Sequence, residues 1–223
     1  MGRADRRAAG ALLCLLFALA GTATRACETA LLLAIDVSNS VDMAEYRLQL
    51  DGMADALEDG EVVDALVQGQ VALAVMQWSG ADRQELSLPW TRIRSAADAR
   101  EVAARARGLT RAFVLSDTAV GEAIRSAVPL FSQVADCGRR VIDISGDGPD
   151  NSGGDPRGAR TLAARAGITI NAIAIEGMGR AVSAFFERAV ITADGFVVTA
   201  RGHRDYPRAI RAKILREVSA ALF

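Results

Sequence analysis

Residues 29–40 read TALLLAIDVSNS, and this stretch decides the fold class. Its first part, Thr29–Asp36, is a nearly continuous apolar run of a length typical of a strand. Strands that are covered on both faces have this composition, whereas strands with one face in water alternate apolar and polar residues. The run therefore predicts a central parallel strand with helices on both sides.

The rest of the chain alternates further strand-like runs with helical patterns. Strands are predicted at 71–78, 84–90, 139–145, 168–175 and 195–199, and helices at 42–57, 96–107, 118–134, from Asp155-Pro156 onward, at 181–189 and at 206–222. This alternation predicts an α/β fold of the Rossmann-like, doubly wound kind, with a mostly parallel central sheet and helices on both faces. Pro89 indicates a sheet edge or a strand terminus.

The N-terminus has the composition of a secretory signal peptide. A short apolar run, ALLCLLFALA at residues 11–20, precedes small residues around Ala26. The run is shorter than the roughly 20 residues that span a bilayer. It follows a positively charged start formed by Arg3, Arg6 and Arg7. We therefore predict a signal peptide at residues 1–26 and one exported domain at 28–223, in the periplasm or outside the cell, without a membrane span.

Charge and cysteine content narrow the function classes. The predicted signal peptide carries four arginines and one aspartate, so without it the net charge falls from −1 to −4. Nucleic-acid binders usually carry a basic stripe, so this balance argues against nucleic acid as a partner. Loss of Cys14 with the signal peptide leaves Cys27 and Cys137, and an oxidising compartment favours a disulfide between them. A lipid anchor on Cys27 is an alternative that fits poorly with Arg25 nearby.

Side chains that carry oxygen follow two of the predicted strands. Asp36, Ser38 and Ser40 alternate directly after the first strand, and Asp147 follows strand 139–145 between two glycines. If these strands are neighbours, both carboxylates lie at the same sheet edge. Thr118, at a predicted helix start, could present a further hydroxyl. Hard cations such as Mg²⁺ prefer oxygen ligands of this kind.

These motifs resemble the metal-ion-dependent adhesion site (MIDAS) of von Willebrand factor A (VWA) domains, as found in a bacterial exported subgroup. The resemblance is carried by the DxSxS pattern of residues 36–40, by Thr118 followed by Gly121-Glu122-Ala123-Ile124, and by Gly146-Asp147-Gly148. Leu115-Ser116-Asp117 stands where a glycine-rich lead is often found. Either Ser116 or Thr118 could therefore supply the hydroxyl, and we favour Thr118.

The resemblance implies a VWA fold and a set of site residues. Ser38, Ser40 and Thr118 would coordinate a divalent cation, Mg²⁺ or Mn²⁺, and Asp36 and Asp147 would hold it directly or through waters. A partner protein would complete the site with an Asp or Glu carboxylate. The family fold also places the first strand beside the fourth, which implies a Cys27–Cys137 disulfide near the amino ends of those strands.

The implied function is a binding module without catalysis, and two alternatives remain. A metal-assisted phosphohydrolase with Asp36 as nucleophile would need a carboxylate where Ser38 stands and a nearby lysine, and Lys213 in the last helix is the only lysine. A structural exported domain with a stabilising metal is the other alternative. The sequence lacks the GxSxG motif of serine hydrolases, and neither GxxxxGK[ST] nor GxGxxG, the motifs of nucleotide-binding domains, follows a predicted strand.

Other conspicuous side chains are interpreted as structural. We expect His203 at the surface or in a cap, and Trp78 and Trp90 in the core or at a half-buried edge. Four polar residues close to the predicted site are read as turn or cap residues rather than ligands, with Asp150 as the best candidate for shaping the rim. They are Asp42, Asp117, Asp150 and Asn151.

Overall fold

The computed structural model describes residues 27–219, so the predicted signal peptide lies outside the described residues. Six strands form one sheet: β1 (Thr29–Asp36), β2 (Ala72–Trp78), β3 (Gln84–Arg92), β4 (Arg139–Gly146), β5 (Thr169–Glu176) and β6 (Val197–Arg201). Their order across the sheet is β3-β2-β1-β4-β5-β6. The edge strand β3 runs antiparallel to β2, and the other neighbouring pairs are parallel. Pro89 lies in this edge strand, as its missing N–H requires.

Helices cover both faces of the sheet. They are α1 (Met43–Glu58), α2 (Gly60–Gln68), α3 (Ala96–Arg107), α4 (Val120–Ala127), α5 (Pro156–Arg165), α6 (Ala181–Phe185) and α7 (Tyr206–Ser219). The central strand β1 is buried along its whole length. Its alternate residues Leu31 and Leu33 pack into the core beneath α1, α3 and α7, whereas Leu32 packs into the core beneath α4 and α5. The predicted fold class, a doubly wound and mostly parallel sheet, is confirmed.

Three helical segments differ from the prediction. The predicted helix 181–189 is α-helical only to Phe185 and continues as a π-helical segment, Phe186–Val190. The predicted helix 118–134 ends as α4 at Ala127 and continues as a 3₁₀ segment, Val128–Val134. Pro129 explains the change, because proline has no N–H for an α-helical bond and its ring clashes with the preceding turn. The helix α2 was not predicted. Asp59 caps it by accepting hydrogen bonds from the Glu61 and Val62 backbone N–H groups.

A disulfide joins the two loops that precede β1 and β4. Cys27 is bonded to Cys137, just before the register pair Thr29–Arg139 of these parallel neighbours. The carboxyl ends of the same strands lie at the opposite edge of the sheet, so the disulfide and the predicted site stand at opposite ends of the β1–β4 pair. Within residues 27–219, no helix combines the length and apolar composition needed to cross a membrane.

Candidate metal site

The carboxyl ends of β1 and β4 bring the DxSxS motif and Asp147 together. Ile35 pairs with Ser145 across these parallel strands, so the loops that follow them start at the same edge. The Ser40 hydroxyl donates to Asp147 Oδ1 at 2.6 Å and lies 3.0 Å from the Ser38 hydroxyl. The first loop is closed at its start, because Asp36 Oδ1 accepts a hydrogen bond of 2.7 Å from the Ser38 backbone N–H.

Thr118 completes this group from the loop before α4. Its hydroxyl donates to Ser38 Oγ at 3.1 Å. The other candidate, Ser116, turns toward a different loop, where its hydroxyl accepts from the Gly80 backbone N–H at 3.1 Å. The structure therefore brings together the five predicted residues and leaves Ser116 outside. We call this group the oxygen cluster: Asp36, Ser38, Ser40, Thr118 and Asp147.

Asn151 fixes the position of Thr118, a role that sequence reasoning missed. Its side-chain oxygen accepts from the Thr118 backbone N–H at 2.9 Å, and its own backbone N–H donates to the Thr118 carbonyl at 3.0 Å. The two residues are 33 positions apart. A capping pattern within one helix could not reveal this pairing; the only signal was the position of Asn151 shortly after a strand that ends in a candidate ligand.

Asp150 and Gly121 hold the start of α4 against the same loop. Asp150 Oδ1 accepts from the Val120 backbone N–H, so this carboxylate caps α4 from a distant part of the chain. A Cβ atom on Gly121 would lie 2.3 Å from the Gly154 carbonyl oxygen, which explains why glycine stands there. Asp150 therefore shapes the rim and is not a member of the oxygen cluster.

The cluster is buried on its inner side and open on its outer side. Asp36 and Ser38 are fully buried, whereas Asp147 is half-buried and Ser40 is exposed. Asp36 Oδ2 has no hydrogen-bond partner within the part of the chain that the structure describes. Burial, and secondarily the charge of Asp147, raises the pKa of Asp36 to about 7. The interior of the site thus holds a carboxylate oxygen that lacks a compensating donor.

The donor set fits a hard divalent cation. All five side chains offer oxygen, from three hydroxyls and two carboxylates, which suits Mg²⁺ or Mn²⁺ better than a softer ion. Within residues 27–219, no group of three or more His, Cys, Asp and Glu side chains is placed to hold a metal. The hydroxyls of Ser38, Ser40 and Thr118 are therefore essential to any metal site at this edge.

The remaining side chains have structural positions, with one correction. His203 was expected at the surface or in a cap, but it is buried and its Nδ1 lies 3.1 Å from Glu45 Oε1. It is drawn inward because the short 3₁₀ segment that precedes α7 packs against α1.

Asp42 caps α1 in a capping box with Glu45. Trp78 is buried, and the half-buried Trp90 donates to the Leu130 carbonyl, both as expected.

Solved structures with the same architecture come from a mussel and from bacteria. Proximal thread matrix protein 1 of the mussel byssus is 18% identical with a TM-score of 0.61, and the match covers 87% of this chain and 47% of that chain. The same protein with a "zinc occupied MIDAS motif" has a TM-score of 0.59 over 87% of this chain and 46% of that one, also at 18% identity. The vWF domain of the pilus tip protein Mfa5 from Porphyromonas gingivalis is 10% identical with a TM-score of 0.63, over 88% and 97% of the two chains. At these identities the matches show a VWA-like fold.

Comparison by sequence gives a family. A search of curated proteins found no match. Residues 26–222 match the family described as "Protein of unknown function (DUF1194)". This match covers all the elements of the sheet and all five residues of the oxygen cluster. The chain therefore belongs to the DUF1194 family, and it has a VWA-like fold.

Proposed function

We propose that the protein is an exported binding module that uses a divalent cation to recognise a partner, and that it has no catalytic activity. The observation that carries the proposal is the oxygen cluster, in which five oxygen-bearing side chains from three separate loops converge at the carboxyl ends of β1 and β4. In doubly wound sheets this edge is where ligands bind. We assign the protein to the periplasm or the exterior of the cell.

Each residue of the cluster has a role in the proposal. Ser38, Ser40 and Thr118 would hold Mg²⁺ or Mn²⁺ through neutral hydroxyls, and Asp36 and Asp147 would supply negative charge directly or through waters. A cation held in this way attracts a carboxylate oxygen from outside. Since Ser40 and Asp147 form the exposed side of the cluster, an Asp or Glu side chain of a partner protein would approach from there.

The solved structures support the same interpretation. One neighbour carries a zinc-occupied MIDAS motif, and another is the vWF domain of a pilus tip protein. The alternative of a metal-assisted phosphohydrolase is less well supported. Position 38 has a hydroxyl where the phosphohydrolase would need a carboxylate. The only lysine, Lys213, is fully buried in α7, where its amine contacts Asp143 and Glu217.

Calorimetric titration of Mg²⁺ and Mn²⁺ tests the proposal. The signal-free protein is compared with Asp36→Ala and with Asp117→Ala, which removes an exposed carboxylate from the same rim but lies outside the oxygen cluster. We expect saturable one-site binding in the unaltered protein and in Asp117→Ala, and loss of binding in Asp36→Ala. Equal binding by all three proteins, or no binding by the unaltered protein at millimolar cation, would contradict it.

A second experiment addresses the partner. Immobilised protein is exposed to envelope and secreted proteins with Mg²⁺ or with a chelator, and Asp147→Asn is run in parallel. A partner that the proposal describes is retained with Mg²⁺, is released by the chelator and is not retained by Asp147→Asn. Retention that ignores both the chelator and the substitution would place the binding surface elsewhere.

A further inference from the structure

A second group of polar and ionisable side chains is buried between the sheet and α7. Lys213 and Glu217 lie on α7, Asp143 lies on β4 and Asn171 on β5, and none of them is more than 2% exposed. Lys213 is the only lysine of the chain. Lysine and two acids in a dry interior are costly unless they are closely matched, so their arrangement requires an explanation.

The amine of Lys213 contacts both acids, but in different ways. Nζ donates a hydrogen bond to Glu217 Oε1, which also accepts from Asn171 Nδ2 at 2.7 Å. Nζ lies 2.7 Å from Asp143 Oδ1 as well, yet this contact lacks hydrogen-bond geometry. Both carboxylate oxygens of Asp143 are without a hydrogen-bond partner among the described residues. The Lys213 amine is therefore in close contact with the Asp143 carboxyl group but does not form an aligned hydrogen bond with it.

The surroundings exclude water, and this burial disfavours the charged forms of the two acids. The Phe196 ring lies 5.5 Å from Nζ, and the Arg216 guanidinium stacks on that ring at 3.6 Å. Burial is the main cause that raises the pKa of Asp143, and burial followed by the charge of Asp143 raises the pKa of Glu217 to about 8. Condensation requires that a proton first pass from Lys213 to Asp143, which leaves an amine beside a carboxylic acid, and Glu217 can exchange protons near neutral pH.

We propose that Lys213 and Asp143 condense to an intramolecular amide, an isopeptide bond, with Glu217 as the catalytic acid–base. The amine nitrogen attacks Cγ of the protonated Asp143 carboxyl, and an N–H proton passes to the Glu217 carboxylate. The Cγ–O bond then breaks, Glu217 returns the proton to the departing hydroxyl, and one water molecule leaves. The step needs no oxidant or cofactor, and it replaces a buried ion pair with a neutral amide.

The bond would join the middle of β4 to α7 and is independent of any metal at the oxygen cluster. Asp143 lies four residues before Asp147, on the part of β4 that pairs with β1 and β5 along its length. The reacting groups come from elements that are 70 residues apart in sequence and already in contact in the fold. Condensation therefore follows folding, because only the folded chain brings Nζ to Cγ.

Mass spectrometry of the reduced, full-length exported protein tests the proposal. The expected intact mass is lower than the sequence mass by one water molecule. After trypsin digestion, residues 141–157 should be joined to residues 212–216, because trypsin does not cut after an acylated lysine. A protein at its full sequence mass would overturn the proposal, as would loss of water with the two peptides unjoined. Loss of ammonia with a join at Asn171 would overturn the assignment to Asp143.

Two variants test the roles of the residues. Lys213→Arg keeps the positive charge and should show its full sequence mass. Glu217→Gln keeps the size of the side chain, and the joined peptide should fall at least about tenfold after equal incubation, because a general acid–base typically contributes more than this. Circular dichroism identifies variants that have not folded, and the digest of the unaltered protein decides the proposal if both fail to fold. Complete joining in Glu217→Gln would overturn its catalytic role.

Discussion

Strand β4 contains Asp143 and is followed directly by Asp147, and these two aspartates have opposite electrostatic surroundings. Asp143 lies in the dry interior with a second acid, Glu217, and the chain places the ammonium of Lys213 between them. Asp147 lies at the open end of the strand with a second acid, Asp36, and three hydroxyls. Within residues 27–219, no lysine, arginine or histidine forms an ion pair with either Asp36 or Asp147.

The difference shows how the two pairs of acids are compensated. A pair of carboxylates that is removed from water needs a positive charge or a proton. The inner pair has its cation built into the sequence, as Lys213. The outer pair is left with hydroxyls, which are ligands but not counter-charges. Asp36 is buried, and the half-buried Asp147 lies on the side of the cluster that opens to solvent. The outer pair is therefore arranged to take a cation from solution.

Removal of the built-in cation should have the largest effect. In Lys213→Met the side chain keeps most of its volume, but Asp143 and Glu217 lose their counter-charge. The reference is unaltered protein at its full sequence mass, in which Lys213 has not condensed with Asp143. We expect a loss of about 3–5 kcal/mol in the free energy of unfolding at neutral pH, as is usual when one partner of a buried ion pair is removed. Urea unfolding at pH 7 measures this loss.

The matched control is Arg216→Met on the exposed side of the same helix. It removes a stacked cation from Phe196, and surface contacts of this kind contribute roughly 1 kcal/mol or less. Equal losses in the two variants would show that the inner acids are compensated by protonation alone, and the contrast between the two acid pairs would then fail.

The pH dependence of stability should separate the outer pair. The pKa of Asp36 is raised from 3.8 to about 7 on folding, so between about pH 4 and pH 7 the folded protein binds more protons than the unfolded chain. Asp36 therefore lowers stability as pH rises through this window, by up to about 1.4 kcal/mol per pH unit in chelator. Asp36→Asn should remove this contribution.

The measurement is the difference between the two proteins in urea unfolding from pH 4 to pH 8. Asp143 and Glu217 also lower the free energy of unfolding as pH rises, because their pKa values are raised. Their contribution is the same in both proteins and cancels in the difference. With Mg²⁺ added, the unaltered protein should gain more stability at pH 8 than at pH 6, since the cation displaces the Asp36 proton. An unchanged slope in Asp36→Asn would contradict the prediction.

Thr118 and Ser116 form a matched pair of hydroxyls for the next test. Thr118→Ala removes a hydroxyl that contacts Ser38, and we expect its Mg²⁺ affinity to fall by more than about tenfold. Ser116→Ala removes a hydroxyl that bonds to Gly80 instead, and its affinity should stay within about twofold of the unaltered protein. Calorimetric titration at pH 8 compares them, and the reverse ranking would assign the ligand to Ser116.

Substitution of Asn151 should have the smallest effect. Asn151→Ala removes the acceptor of the Thr118 backbone N–H and leaves all five cluster oxygens in place. We expect the Mg²⁺ affinity to fall about tenfold, the low end for residues that orient ligands without touching the metal. The same titration measures it, with Ser152→Ala as the control because its hydrogen bond to Thr118 comes from the backbone. If Asn151→Ala and Ser152→Ala have the same Mg²⁺ affinity, Asn151 does not orient the metal ligands.

The fold could be predicted from sequence where local composition and burial agree. The bounds of β1 and α3 were predicted without error, because one is apolar throughout and the other has Ser95 as its cap and a regular pattern of buried alanines. The helix break at Pro129 was missed, although proline gives a local reason for it. The short helix α2 was missed because it depends on one cap, at Asp59.

Only the residues of the candidate site that belong to a sequence motif could be predicted. The residues of the oxygen cluster follow strands or begin a helix, so their positions along the chain carried the signal. Asn151 gave no such signal, because its partner Thr118 lies 33 residues away. Lys213 and Glu217 are four residues apart on α7, but the sequence does not show that they face Asn171, 46 residues before Glu217. His203 was placed at the surface from its polar neighbours, but the packing of its segment on α1 buries it.

The disulfide also determines how the domain would bear a mechanical load. Tension applied at Cys27, which directly follows the predicted signal peptide, passes through the bond to Cys137, just before β4, without stretching the residues between them. Strand β1, with the DxSxS loop at its far end, is then not peeled from its neighbours by a pull from the N-terminal side. In the oxidised protein the geometry of the oxygen cluster is mechanically shielded from that side, and reduction of one bond removes the shield.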